Sequence, residues 1–241
     1  MKLVILLAVA GLSVWAVRNH ESDKNPAQKT SDFAVLELFT SEGCSSCPSA
    51  DALLESVNKD YSGKNVLVLS YHVDYWDRLG WKDRFSSAAN TRRQNSYAEH
   101  FRLNSIYTPQ VVINGKSEFV GSDRSRLQSA LKDVGDKGER LQLRAKEENG
   151  KIAVSIPGSP KQTSTLIVLV QKQASTQVKG GENKSRFLKH VNIVSSFENI
   201  GNKKEAVISF TGLNKSDYFM VALLQDDNTG EIKNYGRTEI L

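Results

Sequence analysis

The stretch Val35–Pro48, VLELFTSEGCSSCP, sets the expectation for the whole chain, because a strand-like run leads into Cys-x-x-Cys and then into a helical pattern. The run is rich in residues that favour strands, and the apolar residues after it recur at the spacing of one helix face. These helical positions are Cys47, Ala50, Leu53, Leu54 and Val57. We therefore expect Cys44 at the exposed start of a helix, where the helix dipole favours a thiolate, and Cys47 one turn further on.

The two cysteines are the only ones in the chain, which limits the number of roles they can have. A four-ligand zinc site requires a further Cys or His pair, and no second cysteine pair is present. A static bridge across so short a loop adds little stability. The favoured interpretation is a redox-active pair, in which the second thiol attacks a mixed disulfide formed by the first.

Length and composition are those of a soluble globular protein with a substantial core. The chain has 241 residues, of which 39% are hydrophobic and 24% charged, and this length favours two domains. The net charge of +5 is spread along the chain rather than clustered, so we expect no nucleic-acid partner.

The N-terminal segment has the pattern of a targeting sequence. In residues 1–17, Lys2 precedes the apolar stretch Leu3–Val17, which is short for a membrane-spanning helix. We interpret the segment as a signal peptide or as an N-terminal anchor that tethers the protein through residues 3–17. Residues 18–32 are polar and are interpreted as a linker. Both alternatives predict an exported protein, periplasmic or secreted or anchored to the inner membrane, where disulfides persist.

Residues 33–137 alternate predicted strands and helices in the order β-α-β-α-β-β-α, which is typical of an α/β domain. A continuous apolar run in the second strand is typical of a parallel strand buried on both faces. Asn114-Gly115 is a hairpin signal between the last two strands. The predicted strands are Ala34–Phe39, Asn65–Tyr71, Gln110–Ile113 and Lys116–Val120, and the predicted helices are Ser45–Lys59, Ser87–Phe101 and one capped by Asp123.

Residues 138–241 change to short predicted strands separated by turn signals. The predicted strands are Leu141–Ala145, Ile152–Ile156, Thr165–Gln171, Leu188–Val194, Ala206–Phe210, Phe219–Gln225 and Ile232–Tyr235. Their spacing predicts a second domain that is a mainly antiparallel β-sandwich-like structure. Residues 178–186, VKGGENKSR, lack the strand–loop–helix setting of a phosphate loop and are predicted to form a hairpin loop, with contact to an anion or to the other domain as the open alternative. His190 lies in the strand after this loop, either within the sheet or facing the other domain.

Cys-x-x-Cys at the first helix and Thr108-Pro109 before the third strand resemble the thioredoxin fold. That resemblance implies that Pro109 follows a cis peptide bond and lies against the dithiol. Four longer motifs make the resemblance more specific. They are ELFTSEGCSSCPSAD, YHVDYWDRLGWKD, IYTPQVVING and GENKSRFLKHVNIV. With these motifs, the chain is similar to a secreted bacterial thioredoxin-like family called domain of unknown function 1223.

Several positions depart from the thioredoxin pattern. Gly43 stands where thioredoxin has a tryptophan, and Ser45-Ser46 stand where it has Gly-Pro. The buried acid of the first strand of thioredoxin corresponds to Leu38. Glu37 is one position away and is expected to point to the opposite face, so it is only a candidate supporting residue. The redox potential and the choice of partner therefore do not carry over from thioredoxin.

The segment after the second predicted strand supplies further candidate supporting residues, His72, Asp74 and Trp76. Open α/β sheets place ligands at the carboxyl ends of their strands. A histidine near the dithiol would lower a thiol pKa, transfer a proton or join two thiolates on a metal, and Asp74 would orient it. The alternative is that His72 and Trp76 pack a long loop against the sheet.

Three functions stay open at this stage. The first is an exported thiol–disulfide oxidoreductase acting on protein thiols or disulfides, with no cofactor besides its own redox-active disulfide. Cys44 attacks, Cys47 resolves the mixed disulfide, and Thr108 and Pro109 hold an extended substrate chain. The second is a metal-binding or metal-delivery protein with Cu(I) or Zn(II) on Cys44, Cys47 and His72. The third is a non-catalytic binding module with a structural disulfide, in which the C-terminal domain carries recognition.

Overall fold

A computed structural model of the chain describes residues 32–132, 134–135 and 140–241. The segment at 1–17, nearly all of the 18–32 linker and the boundary between residues 137 and 138 lie outside the described residues. The helices are α1 Cys47–Asp60, α2 Ala88–Phe101 and α3 Arg124–Leu131. The strands are β1 Ala34–Thr40, β2 Val66–His72, β3 Gln110–Ile113, β4 Ser117–Val120, β5 Arg144–Glu148, β6 Lys151–Ser155, β7 Thr163–Gln177, β8 Phe187–Asn199, β9 Glu205–Ser209, β10 Tyr218–Asp226 and β11 Ile232–Glu239.

The described part of the chain is a mixed α/β structure built on one large mixed sheet. The sheet has eight strands in the order β11-β10-β7-β8-β2-β1-β3-β4. Strands β1 and β2 are parallel, whereas β3 is antiparallel to β1. Strand β8 joins the free edge of β2 in parallel, with Ser70 opposite Ile193. The sheet therefore continues from the first half of the chain into the second.

The centre of the sheet is buried because β1 presents apolar side chains alternately to its two faces. Leu36 and Leu38 pack against α1 in one core cluster, and Val35 and Phe39 pack against Tyr97 of α2 in another. This is the alternation expected of a strand. The buried face of α1 carries Ala50, Leu53, Leu54 and Val57. Each fully buried leucine contributes about 1.5–3 kcal/mol, so this helix face anchors the start of α1 firmly to the sheet.

The architecture of the second half of the chain differs from the prediction in one respect. Strands β5, β6 and β9 form a separate antiparallel sheet, and its apolar side chains pack against β7 and β10 of the large sheet, which gives two packed layers. One of these layers is, however, the continuation of the first sheet rather than part of a free-standing sandwich. Sequence spacing does not show this, because it reveals strands without revealing their neighbours. The division of the chain into two domains stays a prediction.

Candidate functional site

The two cysteines form a disulfide at the start of α1. The helix begins at Cys47, and Cys44 lies before it in a turn in which the Cys47 backbone N–H donates to the Cys44 carbonyl. Both cysteines are completely buried, each with 0% of its surface exposed. The expectation of an exposed Cys44 is therefore wrong. Burial has a tertiary cause, because another part of the chain covers the turn.

We call residues 178–186, which connect β7 to β8, the cover hairpin. The buried Asn183 side chain donates from Nδ2 to the carbonyls of Glu42 and Cys44, at 2.8 Å each. Glu182 accepts a hydrogen bond from the backbone N–H of Ser45 at 3.0 Å. The hairpin loop predicted here is thus present. It satisfies backbone groups on both sides of Cys44 and excludes solvent from the disulfide.

Two glycines let the cover hairpin approach the segment after β2. A side chain at Gly180 would begin 2.4 Å from the Gly80 carbonyl oxygen, and one at Gly181 would begin 3.0 Å from the Cβ of Trp81. Such distances leave no room for a Cβ at Gly180. Close backbone contact therefore explains the Gly-Gly pair and holds the two segments together over the disulfide.

His72 lies at the end of β2 and is completely buried. Its Nδ1 lies 2.6 Å from Oδ2 of Asp83, which also accepts a hydrogen bond from the backbone N–H of Glu42 at 2.9 Å. Asp74 instead accepts a hydrogen bond from the Thr91 hydroxyl at the start of α2. The expectation that Asp74 orients His72 is therefore wrong, and Asp83 has that role. The loop after β2 folds back and brings Asp83 under the cysteine turn.

His190 of β8, in the second half of the chain, lies next to His72 and contributes to the same buried group of side chains. Its Nε2 lies 3.4 Å from Oε1 of Glu42, and its Nδ1 lies 3.8 Å from Oδ2 of Asp51. The rings of His190 and His72 meet edge to face, with their centroids 4.7 Å apart. We call Glu42, Asp51, His72, Asp83 and His190 the buried acid–histidine cluster; each is at most 7% exposed.

The carboxyl groups of this cluster differ in their proton affinity. Burial raises the pKa of Asp51 to about 6, although the charge of His190 and the Thr40 hydroxyl act in the opposite direction. Burial also acts to raise the pKa of Glu42, but contacts with His190 and other donors outweigh it and leave the pKa lowered. The pKa of Asp83 is lowered because His72 outweighs the effect of burial. Asp51 is thus the carboxyl group suited to exchange a proton near neutral pH.

Asp51 is also well placed with respect to the disulfide. It follows Cys47 by four residues in α1, so the two side chains share one buried helix face, and side chains on a helix lean toward its N terminus. Neither oxygen of Asp51 and neither ring nitrogen of His190 makes a hydrogen bond of normal geometry within the described residues. Buried polar atoms in this condition are uncommon, and a catalytic role is one of their established explanations.

Thr108 and Pro109 are linked to the cysteine turn and to α1 through Trp76 and Gly121. The Thr108–Pro109 peptide bond is cis, in agreement with the expectation from the thioredoxin resemblance. Trp76 donates from Nε1 to the Thr108 hydroxyl at 2.8 Å, and its Cβ lies 3.2 Å from the position of a Cβ on Gly43. A Cβ on Gly121 would lie 3.4 Å from the Cβ of Pro109 and 3.3 Å from that of Ala50 in α1. Trp76 and Gly121 thus bring this segment against the cysteine turn and the first turns of α1.

Glu37 is not part of this site. It accepts hydrogen bonds from Arg93 of α2 at 2.6 and 3.0 Å, and Tyr97 also donates to it. This pairing lies on the α2 face of the sheet, as the alternation along β1 predicts. Glu37 therefore neutralises a buried arginine and does not support the dithiol.

Glu42, Asp51, Asp83 and Asn183 were not predicted as site residues, and the position of His190 was left open. Asp51 had a visible signal, because it lies on the buried face of a helix otherwise lined by apolar residues. The others become site residues only through contacts between distant segments, so no local pattern marks them.

A metal site on the predicted ligands finds no support in this geometry. Both sulfur atoms are bonded to each other, and Nδ1 of His72 is paired with Asp83. Within residues 32–132, 134–135 and 140–241, no group of three or more His, Cys, Asp or Glu side chains is arranged to hold a metal ion. Across the same residues, no helix is long and apolar enough to span a membrane.

The described residues form a mixed α/β protein that carries a buried Cys-x-x-Cys disulfide. The chain belongs to the family described as protein of unknown function (DUF1223), whose model matches residues 35–225. The crystal structure of protein AGR_C_4864 from Agrobacterium tumefaciens is similar, with 26% sequence identity and a TM-score of 0.62, over 88% of this chain and 95% of that one. HBP35 of Porphyromonas gingivalis shares the fold at 14% identity and a TM-score of 0.50, over 86% of this chain and 75% of that one. No curated protein matches the sequence.

Proposed function

We propose that this protein is an exported, thioredoxin-like thiol–disulfide oxidoreductase. The observation that carries the proposal is a Cys44–Cys47 bridge at the start of a helix, next to a buried carboxyl group whose pKa is raised to about 6. The neighbouring cis Thr108–Pro109 segment and the element order support the thioredoxin-like assignment. Export, and a membrane tether through residues 3–17, rest on the N-terminal sequence pattern alone.

In the proposed reaction, the Cys44 thiolate attacks a disulfide of a partner protein. A Cys44–partner disulfide forms, and the electron pair of the broken bond leaves with the other partner sulfur. The Cys47 thiol then gives its proton to the Asp51 carboxylate and attacks the Cys44 sulfur, which restores the bridge and releases the second partner thiolate. The partner disulfide is reduced and the protein dithiol is oxidised. The reverse sequence oxidises two partner thiols.

Each remaining residue has a defined part in this reaction. Thr108 and Pro109 offer backbone groups to an extended partner chain, and His190 lies beside Asp51, with its Nδ1 3.8 Å from Oδ2 of that residue. His72 and Asp83 fix the turn that carries Glu42 and the cysteines. No cofactor beyond the disulfide enters the reaction.

Equilibration of the full chain in glutathione buffers, followed by thiol trapping, tests the proposal. We expect a reduction potential between about −120 and −230 mV, a range in which many catalytic dithiols lie. Cys44→Ser should abolish disulfide exchange with a partner protein, whereas Ser49→Ala, on an exposed position of α1, should leave it unchanged. Exchange at the wild-type rate in Cys44→Ser would contradict the role of Cys44.

The complete burial of both cysteines favours a second candidate, a binding module with a structural disulfide. The same measurement separates the two functions. A potential below about −300 mV would mark a bridge that glutathione does not reduce, and would favour the binding module.

A further inference from the structure

Six cations lie on two segments that are far apart in sequence and that both contact the cysteine turn. The segment after β2 contributes Arg78, Lys82 and Arg84, and the cover hairpin contributes Lys179, Lys184 and Arg186; all six are exposed. Contacts of Gly80 and Trp81 with the cover hairpin join the two segments, and Arg84 donates to the Ser175 carbonyl at the end of β7. We call these six residues the basic rim.

The cations of the basic rim have no acidic partners. None of the six makes an ion pair within the described residues, although lysines elsewhere pair with Glu231, Glu148 and Glu239. The acids of the same two segments are already engaged. Asp83 is buried against His72, Asp77 accepts from the Ser86 hydroxyl, and Glu182 accepts from the Ser45 backbone. These hydrogen bonds leave the negative charges in place, so the two segments hold six cations against Asp74, Asp77, Asp83 and Glu182, and the rim has an excess of positive charge.

Two large apolar side chains are exposed in the same segments. Leu79 is 52% exposed and lies between the rim cations of the first segment, and Phe187 is 59% exposed and directly follows the cover hairpin. Exposed aromatic and aliphatic residues within a charged surface are typical anchors of protein interfaces. A lipid surface or a nucleic acid would also be attracted by the charge, but neither carries a thiol for the disulfide in the cysteine turn that the two segments contact.

We propose that the basic rim docks protein partners whose reactive cysteine lies in an acidic segment. This inference rests on the proposed exchange reaction and adds its substrate class. Opposite charge raises the rate of encounter by about 10- to 1,000-fold at low ionic strength, and the effect falls as salt screens it. The partner thiolate attacks the Cys44 sulfur, the Cys44–Cys47 bond breaks, and its electron pair passes to Cys47.

The test measures reduction of the disulfide in the full chain by two synthetic peptides of equal length. Each has one cysteine, flanked by glutamates in one peptide and by lysines in the other. Rates are expressed per thiolate, because acidic neighbours raise a thiol pKa. We expect the acidic peptide to react about tenfold faster at low salt, and this preference to disappear at about 0.5 M salt.

Two double variants with reversed charges test whether the preference for the acidic peptide depends on the basic rim. Lys184→Glu with Arg186→Glu should remove the preference for the acidic peptide. Lys151→Glu with Lys203→Glu, on exposed positions away from the cover hairpin, lowers the net charge equally and should keep the preference. Uncharged dithiothreitol should reduce all variants at one rate, which shows that the cover hairpin is intact.

Exchange without a charge preference, or an equal loss of preference in both double variants, would overturn this inference alone. Exchange with neither peptide, while dithiothreitol reduces the bridge, would overturn the proposed function together with it. Vesicles containing anionic phosphatidylglycerol test the competing partner. A loss of vesicle binding in the rim variant, with the peptide preference unchanged, would assign the rim to a lipid surface instead.

Discussion

Asp51 is the residue at which the stability and the proposed chemistry of this protein oppose each other. Its pKa is raised from 3.8 to about 6 by burial, so the native state binds a proton more tightly than the unfolded state does. Ionisation of Asp51 therefore favours unfolding. The free energy of unfolding should fall as pH rises from about 4 to about 6, by up to about 3 kcal/mol.

Because ionisation of Asp51 favours unfolding, Asp51→Asn should change the unfolding free energy differently at low and at high pH. At about pH 3, below the ordinary aspartate pKa of 3.8, the wild-type carboxyl group is mostly protonated in both states, so the variant should change the unfolding free energy little. At pH 8 the variant lacks the buried charge and should be more stable than the wild type by about 2–3 kcal/mol. Urea unfolding at both pH values measures the difference. Glu55→Gln, at an exposed position in the same helix, should show no pH-dependent gain, and a similar gain there would contradict the assignment.

At the scale of an element, the cover hairpin controls access to the disulfide. Asn183 satisfies two buried carbonyls, and each buried polar group left without a partner costs about 1–3 kcal/mol. Asn183→Ala should therefore open the cover hairpin more often. Since about 1.4 kcal/mol corresponds to a factor of ten, we expect reduction of the bridge by dithiothreitol to be at least about tenfold faster.

The control for this prediction is Asn199→Ala, at the other end of β8, where the side chain bonds to Ser164 on the surface. Its reduction rate should equal that of the wild type. If Asn183→Ala lowered the melting temperature without changing the reduction rate, the disulfide would react without opening of the cover hairpin.

At the scale of the whole molecule, the two halves of the chain share one core. Val35, Leu67 and Tyr71 pack in the same cluster as Val168, Val194 and other residues of the second half. The Ser70 hydroxyl also donates across the shared sheet to the Val191 carbonyl at 2.8 Å. Removal of the second half would expose the edge of β2 that pairs with β8 and the apolar side chains of β1 and β2 that pack against β7, β8 and β10.

We therefore expect residues 32–135 alone to lack cooperative unfolding, whereas residues 32–241 should unfold in one transition. Near-ultraviolet circular dichroism and urea titration of both chains measure this. A cooperative transition in the shorter chain, with native-like aromatic signals, would instead support the division into two independent domains.

The sequence by itself determined the local features of this protein. The strand leading into Cys-x-x-Cys, the helix after it and the hairpin at Asn114-Gly115 depend on neighbouring residues, and all are present. The strands of the second half were also visible, because alternation and turn residues are local signals.

Only the tertiary structure decided what surrounds the cysteines. His190 and Asn183 reach the site because β8 lies beside β2, a pairing between residues more than a hundred positions apart. The same pairing buries Cys44, although the local pattern predicts an exposed position at the helix start. It also brings the cations of the basic rim together, although they are spread along the sequence. Which strands become neighbours depends on the free energy gained when they bury a shared core. That free energy depends on the whole chain and not on any single stretch of it.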